Sequence, residues 1–114
     1  MIGSTLIHEP DDALLRDLES VDDLTRFACL ELNVLATIDF QGFAAERNVE
    51  WVAGEPLFLD EETGAALFKV DPAGLQAVLA GGAALEPEQS ADLEAIRAFV
   101  SEHGLDHIYE LTTF

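Results

Sequence analysis

The sequence predicts an α+β fold, a two-layer domain in which a largely antiparallel sheet of four or five strands carries three to four helices on one face. Segments with apolar residues at helical spacing lie near both ends of the chain and once between them, and segments typical of strands separate them. The chain has 114 residues, of which 49% are hydrophobic, enough for a core without disulfides. We therefore expect a single domain over residues 1–114.

The first helical segment is predicted from about residue 10 to residue 33, as two helices or one bent helix. Pro10 followed by Asp11 and Asp12 is typical of a helix start, because proline suits the first turn and acids there oppose the positive end of the helix dipole. Ser20 indicates a second start as a possible N-cap. Apolar residues at helical spacing follow the two starts, namely Leu14, Leu15, Leu18 and Val21, then Leu24, Phe27, Ala28 and Leu32.

A strand pattern overlaps the end of this helical segment. Apolar residues alternate from Leu30 to Phe40, the spacing of a half-buried strand, and we place the change from helix to strand near Asn33. Two short strands are predicted next, at residues 49–53 and 57–59, with a break at residues 54–56 where glycine and proline occur.

A β-hairpin is the clearest local structure in the sequence. Residues 60–64 have the length and the terminal glycine of a hairpin loop, and residues 65–70 supply the return strand. Asp71 then precedes Pro72, a pair typical of an N-cap and first helical position. The remaining predicted elements are a helix from Asp71 to the breaker Gly81-Gly82, a helix over residues 87–103 that Gly104 ends, and a final strand over residues 107–113.

The charge is strongly negative. Twenty-three acidic residues stand against five basic ones, a formal net charge of −18. Residues 1–64 hold fifteen acids and three arginines (net −12), whereas residues 65–114 hold eight acids, one lysine and one arginine (net −6). Phosphate backbones repel such a chain, so we expect no direct binding to nucleic acid. Its expected partner is a basic protein, met mainly by the first half.

Cysteine usage and the N-terminus predict the compartment. Cys29 is the single cysteine, so no internal disulfide forms, and we expect it to be packed in the core. The first residues lack a basic region, and the sequence lacks an apolar stretch long enough for a signal peptide or membrane span. We therefore expect a cytoplasmic protein with no membrane partner.

The most enzyme-like cluster is the six-residue segment 102–107, which holds two histidines and two carboxylates. Such residues can ligate a divalent metal. However, Gly104 is predicted to end the helix between His103 and His107, so the two imidazoles do not share a helical face. Nothing in the sequence requires His8 to approach them. We predict no catalytic residue, no metal ligand and no cofactor.

These observations favour a small acidic protein that binds a basic protein and inhibits it by masking its nucleic-acid-binding or active-site surface. Bacterial immunity proteins, antitoxins of nuclease-like toxins and phage inhibitors of host defence complexes are of this physical type. The analogy concerns charge and size and is not a family resemblance. The alternatives are a small metal-dependent enzyme that uses histidines and carboxylates, an acidic structural or regulatory module, and adaptation to salt. A homodimer also stays open.

The candidate binding residues come from the predicted hairpin tip and the predicted second helix start. A hairpin tip projects its charges toward a partner, and no helix end requires the acids there. Tryptophan is enriched at the energetic centres of interfaces, although its alternation with Val49 and Ala53 favours burial. The predicted partner-binding residues are Asp22, Asp23, Asp60, Glu61, Glu62 and Trp51.

Overall fold

A five-stranded antiparallel sheet in the order β2-β1-β5-β4-β3 organises the chain. The computed structural model describes residues 3–18, 23, 26–32, 44–80 and 87–113. The elements are β1 (Gly3–His8), α1 (Asp12–Arg16), β2 (Ala28–Leu32), β3 (Val52–Asp60), β4 (Ala65–Val70), α2 (Pro72–Ala80), α3 (Pro87–His103) and β5 (Ile108–Thr113). Residues 44–46 add a helical turn. The predicted α+β class with its two-layer architecture is confirmed. Of the helices predicted on one face, α2 and α3 lie there, whereas α1 packs on the opposite face.

The centre of the sheet is formed by β1 and β5, and the sequence prediction did not include β1. Leu6 of β1 lies opposite Leu30 of β2 on one side and Glu110 of β5 on the other. Both neighbours run antiparallel to β1. The backbone groups of β1 are therefore hydrogen-bonded to β2 on one side and to β5, the last strand of the described chain, on the other.

The structure corrects the helix predicted over residues 10–33. Among the described residues of this segment, 12–16 form α1, whose N-cap Asp11 accepts a hydrogen bond from the Ala13 N–H with its side chain at 3.1 Å. Most of the start of the predicted second helix, residues 19–22 and 24–25, lies outside the described residues. Residues 28–32 form β2 instead. Pairing with β1 places Leu30 and Leu32 toward the core, and the free energy gained by this pairing and burial outweighs local helix propensity. Residues 33–43, with the rest of the predicted strand, lie outside the described residues.

Two apolar clusters cover the two faces of the sheet. On the face that we call the helix-covered face, α2 and α3 pack on the strands. The buried residues of this cluster are Leu6, Leu32, Ala44, Trp51, Val70, Leu75, Val78, Leu93, Ile96, Phe99 and Ile108. On the second face, α1 packs over the sheet together with Phe27, Leu57 and Phe58. The buried residues there are Ile7, Leu15, Leu18, Ala65, Leu67, Tyr109 and Leu111.

The two short strands predicted before the hairpin are one strand, β3, with a wide bulge. Ala53 pairs with Lys69 and Phe58 pairs with Leu67, so residues 54–57 lie opposite the single residue between those partners. Gly54 has a φ of +76°, a conformation that glycine adopts readily. The predicted break is therefore a bulge on an edge strand, where Pro56 is tolerated. The hairpin itself is confirmed.

The helices of the covered face begin and end as predicted. The Asp71 carboxylate caps α2 by accepting a hydrogen bond from the Gly74 N–H at 3.2 Å. After α3, Gly104 has a φ of +92° and donates its N–H to the Val100 carbonyl at 2.6 Å. Arg97 of α3 donates to the Leu79 carbonyl at 2.7 Å, which ties the two helices together.

Gly74 allows α2 to approach the segment that enters β3. A Cβ at this position would lie 1.8 Å from the Glu50 carbonyl oxygen, so any side chain forces the helix and the segment apart. The adjoining backbone is fixed by the Asp71 N–H, which donates to the Trp51 carbonyl at 3.0 Å. The close approach therefore depends on glycine.

We expect Gly74→Ala to lower the free energy of unfolding by about 1–3 kcal/mol, the usual cost of overpacking. Alanine has the higher helix propensity by roughly 1 kcal/mol, so a net loss isolates the clash. Gln76→Ala, at an exposed position of the same helix, serves as the control and should change stability by no more than about 0.5 kcal/mol. Urea unfolding followed by circular dichroism measures both, and a Gly74→Ala variant as stable as the parent would contradict the close approach.

Candidate functional site

The tip of the β3–β4 hairpin presents two glutamates whose position is set by Asp60. Its Oδ1 accepts hydrogen bonds from the backbone N–H of Glu62 at 3.0 Å and of Thr63 at 3.4 Å. The Gly64 N–H donates to the Asp60 carbonyl at 2.8 Å and closes the turn. Asp60 is thus partly buried and bonded within the loop, whereas Glu61 and Glu62 are exposed. No ion pair among the described residues involves either glutamate.

Further exposed carboxylates lie at α1 and on β3, and the sequence analysis assigned one of them, Asp12, to a helix start. Helix α1 contacts β3 and carries Asp12 and Asp17 on its exposed side. Asp12 forms an ion pair with Arg16 at 3.7 Å. Glu55 is exposed in the bulge of β3. We call the exposed carboxylates of Asp12, Asp17, Glu55, Glu61 and Glu62 the acidic surface.

The segment around the predicted second helix start is only partly described. Asp22 lies outside the described residues. Asp23 is half-buried, and its carbonyl accepts a hydrogen bond from Arg26 Nε at 3.2 Å. The Arg26 guanidinium in turn lies 6.0 Å from the centre of the Phe27 ring, which packs on the second face. Asp23 therefore lies next to a basic residue, unlike the two glutamates of the hairpin tip.

Trp51, the candidate aromatic anchor, is a core residue. Only 4% of its surface is exposed, and its indole Nε1–H donates a hydrogen bond to the Glu110 carboxylate. Glu110 is fully buried in the middle of β5, and the sequence analysis did not single it out. Its alternation with Ile108 places it on the helix-covered face. Because a buried indole offers no contact to a partner, we leave Trp51 out of the acidic surface.

The structure brings His8 and His103 together, which the sequence did not require. Their rings stack with centroids 4.9 Å apart and planes inclined by 25°, and Phe99 lies against His103 at 4.7 Å. Burial, followed by the nearby His103 and His107, lowers the pKa of His8. Within the described residues, no group of three histidine, cysteine, aspartate or glutamate side chains is arranged to hold a metal ion.

Cys29 is exposed on β2 and not packed in the core as the sequence suggested. Its Sγ–H donates to the Phe27 carbonyl at 3.2 Å. Partial burial and then the charge of Glu31 raise the pKa of the thiol. A raised pKa keeps the sulfur protonated at neutral pH, the opposite of what an activated nucleophile needs.

Comparisons of the chain with protein-family models, with curated proteins and with solved structures found no match. None of the described helices is both long and apolar enough to cross a membrane. The function of the protein is therefore inferred from the surface and charges of this chain alone.

The hydrogen bond between Trp51 and Glu110 gives a test of the buried polar contact. We expect Trp51→Phe, which keeps an aromatic ring and removes the N–H, to lower the free energy of unfolding by about 1–3 kcal/mol, because a buried acceptor loses a donor. Urea unfolding followed by circular dichroism measures the loss.

The control for this test is a double-mutant cycle with Glu110→Met, which replaces the carboxylate with an apolar side chain. Removing both partners should cost less than the sum of the two single changes, by at least about 0.5 kcal/mol. Strict additivity would show that the two side chains do not interact energetically.

Proposed function

We propose that this protein binds a basic protein and inhibits it by masking that protein's nucleic-acid-binding or active-site surface. The observation that supports the proposal best is the hairpin tip, where two exposed glutamates project from a turn that a third carboxylate holds in shape. The formal net charge of −18 favours a partner that carries a positive charge. Immunity proteins, antitoxins and phage anti-defence proteins are the functional class that we propose.

Preorganisation of the tip favours this role over a merely solvated loop. Holding a charged loop in one conformation before binding reduces the entropy lost on association. Asp60 does this through its two backbone hydrogen bonds, and the turn ends in Gly64 at a φ of +73°. Glu61 and Glu62 therefore meet a partner in a fixed position.

The rest of the acidic surface extends the negative field beyond the tip. α1 contacts β3, the strand whose bulge contains the exposed Glu55, and Asp12 and Asp17 are exposed at the two ends of α1. Arg16 offsets part of the charge of Asp12. Exposed carboxylates of this kind act mainly on the association rate and on selectivity. In the bound state they take the places of nucleic-acid phosphates on the basic surface of the partner.

Capture of the partner is the first test. The tagged protein is exposed to lysate of its source at low salt and then washed at high salt. The proposal expects a basic protein at a stoichiometric level that salt releases, and it expects the purified partner to lose nucleic-acid binding or enzymatic activity when the acidic protein is added. A partner whose activity and nucleic-acid binding are unchanged in the complex would refute inhibition by masking.

The hairpin tip can be tested on the captured partner with Glu61→Gln/Glu62→Gln. We expect the association rate at low salt to fall roughly three- to tenfold and its dependence on salt to flatten, because two steering charges are removed. Stopped-flow or surface plasmon resonance measures the rate, and the free energy of unfolding should stay within about 0.5 kcal/mol of the parent.

The matched control is Glu94→Gln/Glu102→Gln, which removes the same number of exposed carboxylates from α3 on the helix-covered face. Glu94 pairs with Arg97 at the surface, an interaction of small energetic value. If both double variants slow association equally, the net charge and not the hairpin tip determines binding. Unchanged association in the tip variant would remove the hairpin from the proposed surface.

A further inference from the structure

The cluster of three histidines brings the end of β1 next to the turn between α3 and β5, which is far away in the sequence. His8 ends β1, His103 ends α3, and His107 precedes β5. The His8 and His103 rings stack at 4.9 Å. The backbone adds a second link, because the Glu9 N–H donates to the His107 carbonyl at 3.1 Å. The imidazole stack thus fastens the C-terminal end of α3 to the end of β1.

The charged groups around His8 do not compensate a positive charge on it fully. From α3 it faces His103, and from the turn before β5 it faces His107, both of which oppose its protonation. Among the described residues, Glu9, the next residue along the chain, is the carboxylate that favours protonation of His8. The residues that pair with His8 on β2 and β5, Ala28 and Ile108, are apolar.

Two further carboxylates lie near the cluster in the sequence, the exposed Asp106 next to His107 and Glu102 next to His103. Glu102 Oε2 is 3.9 Å from His103 Nε2, and 77% of the Glu102 side chain is exposed. On its inner side, His103 packs against Phe99. A proton on His8 is therefore placed against a second imidazole. The carboxylates near the described cluster are exposed or adjacent to the histidines in sequence.

We propose that the stack of His8 and His103 is a pH-sensitive latch between β1 and the end of α3, closed when His8 is neutral and opened when His8 takes up a proton beside His103. Two stacked imidazolium rings repel each other, since both carry positive charge at a short distance. Opening would release the last turn of α3, which is held at its end by the bond from the Gly104 N–H to the Val100 carbonyl.

The direction of the pH effect follows from linkage. The folded protein holds His8 with a pKa below its usual value of 6.5, so the unfolded chain binds the proton more readily. The contribution of His8 to stability is therefore complete above 6.5 and is lost as the pH falls through the pKa of the folded state. The latch is closed at neutral pH and weakens in mildly acidic solution.

The test compares the full chain with its His8→Phe variant, which keeps a ring for stacking and removes the titration. Between about pH 7.5 and about pH 5.5 we expect the melting temperature of the wild type to fall by roughly 3–6 °C relative to that of the variant. Comparing the two chains cancels the titration of the many carboxylates, which both share. A constant difference in melting temperature across this range would overturn the proposal.

Proton NMR of the imidazoles tests the same latch with a second readout and a second variant. The His8 titration midpoint should lie below 6.5 and should rise in His103→Phe, because one opposing charge is removed. Hydrogen exchange, expressed as protection factors, should show the Gly104 amide losing protection in acid at least about threefold more in the wild type than in His103→Phe. A midpoint at or above 6.5 that His103→Phe leaves unchanged would refute the latch.

Discussion

A buried carboxylate in the central part of the sheet imposes the strongest constraint on this fold. Glu110 lies between Leu6 of β1 and Phe68 of β4, fully removed from solvent, where a polar group is costly unless it is hydrogen-bonded. The Trp51 indole meets that need from the start of β3. The Trp51 carbonyl also accepts a hydrogen bond from the Asp71 N–H at the start of α2. Gly74 lets that helix lie against the backbone of Glu50. One polar contact thus relates β5, the entry to β3 and the position of α2.

The surface of the domain is organised by the opposite problem, an excess of like charge. Nearly all described carboxylates lie outside the core, with Glu110 as the fully buried exception among them. Several are used locally, as Asp11 and Asp71 are in helix caps and Asp60 is in the hairpin turn. A carboxylate that is hydrogen-bonded in a helix cap or a turn is less available to bind another protein. The acidic residues that remain exposed at the hairpin tip are therefore more informative about function than the net charge.

Local sequence signals predicted the second half of the chain well and the first half poorly. The hairpin, the Asp71-Pro72 helix start and the Gly104 helix end each depend on residues close in sequence, and all three were found. Strand β1 was missed because its six residues carry no turn signal and acquire their conformation by pairing with β2 and β5. The same pairing turned residues 28–32 from predicted helix into strand. At the candidate site, exposure of Glu61 and Glu62 could be predicted from the turn, whereas the burial of Trp51 and the meeting of His8 with His103 depend on contacts between distant segments.

The register of the sheet separates the acidic hairpin tip from the histidine cluster. Asp60, next to the hairpin tip, pairs with Ala65 of β4, and the adjacent Ala66 pairs with Thr112 of β5. His8 pairs with Ile108 at the other end of β5. Four residue steps along β5 correspond to about 13 Å, which exceeds the screening length of about 8 Å at physiological salt. A proton taken up by His8 therefore changes little of the field at Glu61 and Glu62. In the proposed latch, a proton acts on the attachment of α3 to β1, whereas the exposed carboxylates of the hairpin tip lie at the other end of β5.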